Sequence, residues 1–172
     1  MLKIIAISII FLSSTYIGFY YGESFKIRSR QLKSILKSVM FLNNEVMYSN
    51  SPLPEALNYI SIKVDSPISN ILSSVAISLE NGKSTSVYEA FKEEYYKNKS
   101  SLNLNEEDKG IIRDFLKGLG ESGVYGQDKL FNLTIENMKI NCNAADELAK
   151  KNLKMYSAIG VCIGAMIAIF LF

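Results

Sequence analysis

Apolar side chains recur at steps of three and four along residues 32–46, where Leu32, Ile35, Val39, Leu42 and Val46 form a stripe widened by Leu36, Met40 and Met47. That period belongs to an amphipathic helix whose stripe faces a core. No proline precedes Pro52, so the helix is predicted to continue upstream into the apolar run before it, with residues 22–24 as the point where it could break. Ser51-Pro52 and Ser66-Pro67 each set a capping residue before a proline, which predicts short helices near 52–64 and 67–80. Asn81-Gly82 closes the second of these, and Ser86-Val87-Tyr88-Glu89 has the spacing of a capping box for a helix to about Lys99. Asn105 followed by Glu106, Glu107 and Asp108 puts acid at the favourable end of another helix dipole. That helix carries Ile111, Ile112, Phe115, Leu116 and Leu119 and is predicted to end around Gly118 and Gly120. From Gln127 to Lys154 there is neither glycine nor proline, and Leu130, Thr134, Met138, Cys142, Ala145 and Ala149 step along one face of a last long helix. No stretch carries a convincing strand period, so the fold class is all-α, a bundle of five to six helices.

The two ends of the chain break this amphipathic pattern. Residues 4–22 offer no polar side chains beyond hydroxyls, and at about 1.5 Å per residue they reach across roughly 30 Å of hydrocarbon. A cleaved leader would carry its basic residues in front, whereas Lys26, Arg28, Arg30, Lys33 and Lys37 follow the apolar run, so an uncleaved anchor is expected. Residues 155–172 are again uncharged, and Lys150, Lys151 and Lys154 stand directly before them. Both basic clusters flank the centre of the chain, which the positive-inside rule assigns to the cytoplasm. The expected organisation is a transmembrane helix over 1–22, a cytoplasmic bundle over 23–154 and a second transmembrane helix over 155–172. Tyr16, Tyr20, Tyr21 and Tyr156 lie at the basic ends of the two spans, where amphipathic rings suit the headgroup level. Gly18 with Gly22, and Gly160 with Gly164, have the small-xxx-small spacing that lets helices approach closely in lipid.

Composition narrows the chemistry. At 172 residues, 48% hydrophobic and 21% charged, the chain suffices for one domain plus membrane segments. A net charge of +2 with no dense basic stripe argues against nucleic acid as a partner. The absence of histidine removes the commonest general base and metal ligand, so no catalytic, cofactor or metal residue is assigned and a non-enzymatic role is expected. Cys142 and Cys162 have neither zinc nor disulfide spacing and read as small apolar residues. The acids, among them Glu45, Glu55, Glu93, Glu94, Asp108 and Asp114, read as solvated residues at helix starts and on outer faces. Ser122-Gly123-Val124-Tyr125-Gly126 follows no strand and lacks the Walker lysine, so it reads as an interhelical turn and not a phosphate loop.

Several short stretches in order carry a resemblance across nearly the whole chain: Glu45-Val46-Met47-Tyr48, then Pro52-Leu53 with Glu55-Ala56, Leu119-Gly120 followed by Gln127, and Gly160-Val161-Cys162-Ile163-Gly164. With the hairpin topology they resemble the stage III sporulation protein AB family of endospore-forming bacteria, departing from it at Gly123, where an aspartate is expected. The resemblance implies a mother-cell membrane protein of the channel joining mother cell and forespore, in the outer forespore membrane, similar to the inner-membrane platform subunit of type II secretion and type IV pilus machines. It further implies docking of the sporulation ATPase, stage III sporulation protein AA, and contact with other channel membrane proteins. No small-molecule substrate is implied. Candidate partner contacts are Glu45, Tyr48, Pro52, Leu53, Glu55, Ser122, Tyr125 and Gln127, since exposed bundle ends and loops often carry recognition. The rival readings are a platform subunit of an ordinary secretion or pilus system and a membrane-anchored helical signalling adaptor.

Overall fold

Six α-helices account for most of the described residues: α1 (Leu2–Asn44), α2 (Leu53–Ser61), α3 (Ile68–Glu80), α4 (Val87–Lys97), α5 (Glu106–Glu121) and α6 (Val124–Leu171). A π-helical turn, Glu45–Ser49, follows α1, and a 3-10 turn, Lys99–Ser101, follows α4. The computed structural model describes the backbone of residues 2–49, 51–121 and 124–171, and the side chains of 8–49, 51–119 and 126–170. No strand occurs among the described residues, as the periodicity predicts. The chain divides into two compact units, a terminal one of Met1–Ser29 with Asn143–Phe172 and a central one of Arg30–Cys142.

In the central unit the stripe on α1 meets its prediction at Leu32, Ile35, Val39 and Leu42, all buried, but Met40 is 46% exposed. The buried face extends instead at the other edge of the stripe, to the small polar residues Ser34 and Ser38, and the Ser38 hydroxyl donates to the Ser34 carbonyl at 2.8 Å. A serine that bonds back to its own helix is satisfied without an external partner, so it can stand in an apolar setting. Phe131, fully buried on α6, meets Phe115 of α5 edge to face with centroids 5.2 Å apart.

The starts of the short helices correct the expected caps. Pro52 is the N-cap of α2 with ψ 137°, so the helix begins one residue later than predicted, and Ser51 turns back to donate to Glu45 Oε2 at 2.9 Å. Pro67 is likewise the N-cap of α3, while Ser66 Oγ accepts from Asn70 Nδ2 at 3.3 Å. Ser86 does cap α4, accepting from the Glu89 N–H at 3.2 Å, although the Glu89 carboxylate pairs with Lys92 instead of closing the box. Gly82, with φ +62°, ends the turn after α3 in the left-handed region that favours glycine. Of the turn predicted over 122–126, residues 124–126 are already helical in α6, α5 runs to Glu121, and residues 122 and 123 lie outside the described residues. α1 shows no break at residues 22–24, because Gly22 keeps its helical bonds while its missing side chain admits a neighbouring helix.

Asp108 departs furthest from its expected place. It is fully buried, not solvated. Its backbone N–H donates to Asn105 Oδ1 at 2.8 Å, and its Oδ2 accepts from the Asn105 N–H at 3.0 Å, which is a reciprocal capping box at the start of α5. Its other oxygen accepts from Asn141 Nδ2 of α6 at 3.0 Å. These bonds offset the cost of burying a carboxylate and tie the start of α5 to α6. Gln31 of α1 makes a comparable tie, donating to the Ser101 carbonyl at 2.7 Å and accepting from the Asn103 N–H at 2.8 Å.

Candidate functional site: a helix pair and an exposed bundle turn

In the terminal unit, α1 and α6 run antiparallel at very short range. A Cβ on Gly18 would stand 2.6 Å from the Tyr156 carbonyl oxygen and 2.9 Å from Gly160 Cα. One on Gly160 would stand 3.0 Å from the Ser14 carbonyl oxygen, and one on Gly164 2.9 Å from the Phe11 ring. Gly22 is packed on Leu153, where a Cβ would come within 3.1 Å of its Cα. All four glycines named from the sequence therefore lie on one contact face, and the two motifs meet each other. Ser14 Oγ donates across the pair to the Gly160 carbonyl at 3.0 Å. Farther along, the Tyr156 ring stacks on Phe25 at 5.9 Å and on Tyr21 at 6.4 Å, and the Ser29 hydroxyl donates to Asp146.

The outer surface of this pair is apolar. Leu12, Ile17, Phe19, Met166, Ile169 and Phe170 are each more than half exposed, as are Tyr16, Tyr20 and Tyr21. Apolar surface of that extent marks a membrane or partner contact. Among the described residues one stretch, Gly126–Phe170 within α6, includes a segment long and apolar enough to cross a membrane. Cys162, expected to be a small apolar residue, is exposed on this surface, whereas Cys142 is buried in the central unit.

The partner-contact residues named from the sequence fall in two places. Glu45, Tyr48, Pro52, Leu53 and Glu55 occupy the turn from α1 to α2. There Tyr48 projects from the π-helical turn with 82% exposure, and Pro52 and Glu55 are also exposed. Glu45 is half-buried and engaged, accepting the Ser51 hydroxyl through its carboxylate and the Ser51 N–H through its carbonyl at 3.2 Å, so it shapes the turn. Gln127 is half-buried in the first turns of α6 and, among the described residues, makes no hydrogen bond to the 45–55 segment. Ser122 lies outside the described residues. Tyr125 is helical, and its side chain also lies outside them.

A groove in the central unit escaped the sequence reading. Between α4 and α5, Tyr88, Phe91, Tyr95 and Leu104 line a cavity of about 200 Å³ edged by Lys109 and Arg113. Lys109 donates to Glu106 Oε1 at 2.6 Å and sits 5.9 Å from the Tyr95 ring centroid. That carboxylate and, second, the Tyr95 hydroxyl hold the ammonium above its ordinary pKa, and Lys109 in turn holds Glu106 below the ordinary carboxylate range. Lys97 is raised in the same way by its hydrogen bond to Glu94 at 2.6 Å. The signal for this groove was the spacing of Tyr88, Phe91 and Tyr95 on one helix face, which periodicity alone assigns to a core. Among the described residues no cluster of three or more His, Cys, Asp or Glu side chains is arranged to hold a metal.

Residues 3–172 match the family described as stage III sporulation protein AB. The chain belongs to that family. A stage III sporulation protein AB of Bacillus subtilis (strain 168) is 25% identical over 171 residues, with 99% of each chain covered. A solved structure of stage III sporulation protein AB superposes with a TM-score of 0.66 at 24% identity, covering 72% of this chain and 96% of that one, so the two share a fold. Membership makes this a sporulation protein, and the family's helical architecture agrees with the bundle described above.

Proposed function

We propose that this stage III sporulation protein AB family member is a non-enzymatic scaffold of the channel between mother cell and forespore. It is held in the mother-cell membrane by two spans and docks the sporulation ATPase, stage III sporulation protein AA, on its cytoplasmic bundle. The observation that carries this reading is the family match over residues 3–172, joined to a terminal helix pair whose outer surface is apolar. Basic residues on the inner flanks of both spans support a cytoplasmic centre running over 23–154, with spans over 1–22 and 155–172. In this role Gly18, Gly22, Gly160 and Gly164 hold the two spans together, leaving the outer faces to lipid and to other channel membrane proteins. The turn bearing Tyr48, Pro52, Leu53 and Glu55 is the docking surface, with Ser122, Tyr125 and Gln127 as its second part.

The test is capture of the ATPase by the full chain in detergent micelles. The double variant Y48A/E55K should lower the affinity at least tenfold, about 1.4 kcal/mol, with an unchanged circular dichroism spectrum. Full binding by the folded variant would remove this turn from the docking surface, and no capture by the native chain would remove the ATPase as partner.

A further inference from the structure

We propose that Lys150, Lys151 and Lys154 form a binding surface for anionic phospholipid headgroups; this rests on the membrane-anchored reading above. On α6 the residues that pack on α1 are Leu153, Tyr156 and Gly160, in line with the buried Ala145 and Ala149. At about 100° per residue, the three lysines fall within roughly a 100° arc on the opposite side, and all three are exposed. The same side carries Val161 and Ile169 farther along, 42% and 79% exposed, so one helix face passes from apolar to basic.

The axial spacing matches a headgroup layer. From Lys150 to Lys154 the helix rises about 6 Å, and the polar layer of one leaflet is roughly 5–8 Å thick. Tyr156, stacked on Tyr21 and Phe25, lies about 3 Å further toward the apolar segment, the level at which aromatic rings border hydrocarbon. On α1, Lys26 is exposed near the same end, with its ammonium 3.6 Å from Glu23. Of the nearby acids, Asp146 accepts from Ser29, and Glu147 stands one turn farther from the apolar segment, beyond the layer the lysines occupy. Lysine stems can lie along the apolar surface while their ammonium groups reach phosphate. Clustered lysines at a membrane surface draw anionic lipid, each adding to the attraction.

The experiment is native mass spectrometry of the full chain released from micelles holding equal phosphatidylglycerol and phosphatidylcholine, beside alkaline carbonate extraction of the chain from vesicles. Retained phosphatidylglycerol should exceed phosphatidylcholine by about tenfold or more and fall to parity in K150Q/K151Q/K154Q. The arginine triple variant should keep the preference, and K92Q/K97Q/K117Q in the bundle should not alter it. Equal retention of both lipids by the native chain, or a preference that survives the glutamine triple variant, would overturn the inference while the anchoring reading stands. Release of the chain by carbonate would overturn both.

Discussion

The terminal and central units are both built from helices, yet they are held together by opposite means. In the terminal unit, backbones touch: Gly18 and Gly160 leave no room for a side chain between them, and the large apolar residues point outward. In the central unit, large residues point inward. Phe131, Leu32, Ile60 and Ile71 fill the core, and Asp108 and Gln31 add buried polar ties. The contrast is the one that the membrane-anchored reading proposed above expects. Where the medium is water, burying apolar area drives assembly. Where it is lipid, that drive vanishes, and close packing with interhelical hydrogen bonds such as Ser14 to Gly160 must serve.

Substitutions that strike one unit and spare the other sharpen this contrast. The largest effect is expected for Asp108→Ala, which leaves the Asn105 N–H and the Asn141 amide without their acceptor in a buried setting. It should cost about 3 kcal/mol, seen as an earlier thermal transition in far-ultraviolet circular dichroism, with the near-ultraviolet signal of the Tyr21, Phe25 and Tyr156 stack retained. An unchanged transition would mean that these bonds contribute little. Gly18→Leu should act in reverse. Its Cβ alone would come within 2.6 Å of the Tyr156 carbonyl, so the helices must part, at about 1–3 kcal/mol. The aromatic stack should lose its signal while the bundle melts as before.

The smallest effect is on pH dependence. Glu106 is held below its ordinary range by Lys109, so its contribution is present above roughly pH 4 and lost as pH falls through the lowered value. Lys109 and Lys97 are held above theirs, so their contributions are present below about pH 10 and lost as pH rises through the raised values. Each pair keeps one member well exposed, Glu106 and Lys97, so solvent screens it. Denaturant midpoints should therefore be nearly flat from about pH 5 to 9, with a small drop beyond either end that Lys109→Met removes in part.

Much of the helix layout could be read directly from residue order. Asn105 before three acids marked the start of α5, Ser86 marked α4, and Asn81-Gly82 marked the end of α3, because caps and left-handed turns are local events involving neighbours within a few residues. The failures have equally specific causes. Ser51 and Ser66 looked like caps, but each hydroxyl bonds elsewhere, to Glu45 and Asn70. Met40 fits the apolar period but is exposed, since period states which residues are apolar and not how wide a core the partner helices cover.

Local chemistry in the sequence thus determined the helical class, the two long end helices and the small-residue spacing of their glycines. Only the tertiary structure decided that Gly18 meets Gly160 across 142 positions, that Asp108 is buried and tied to Asn141, and that α4 and α5 leave an aromatic groove between them. The reason is range. Caps and periodicity act over one or two turns, whereas a close approach or a buried bond depends on which distant surface is brought alongside, and the residues on one side do not encode that.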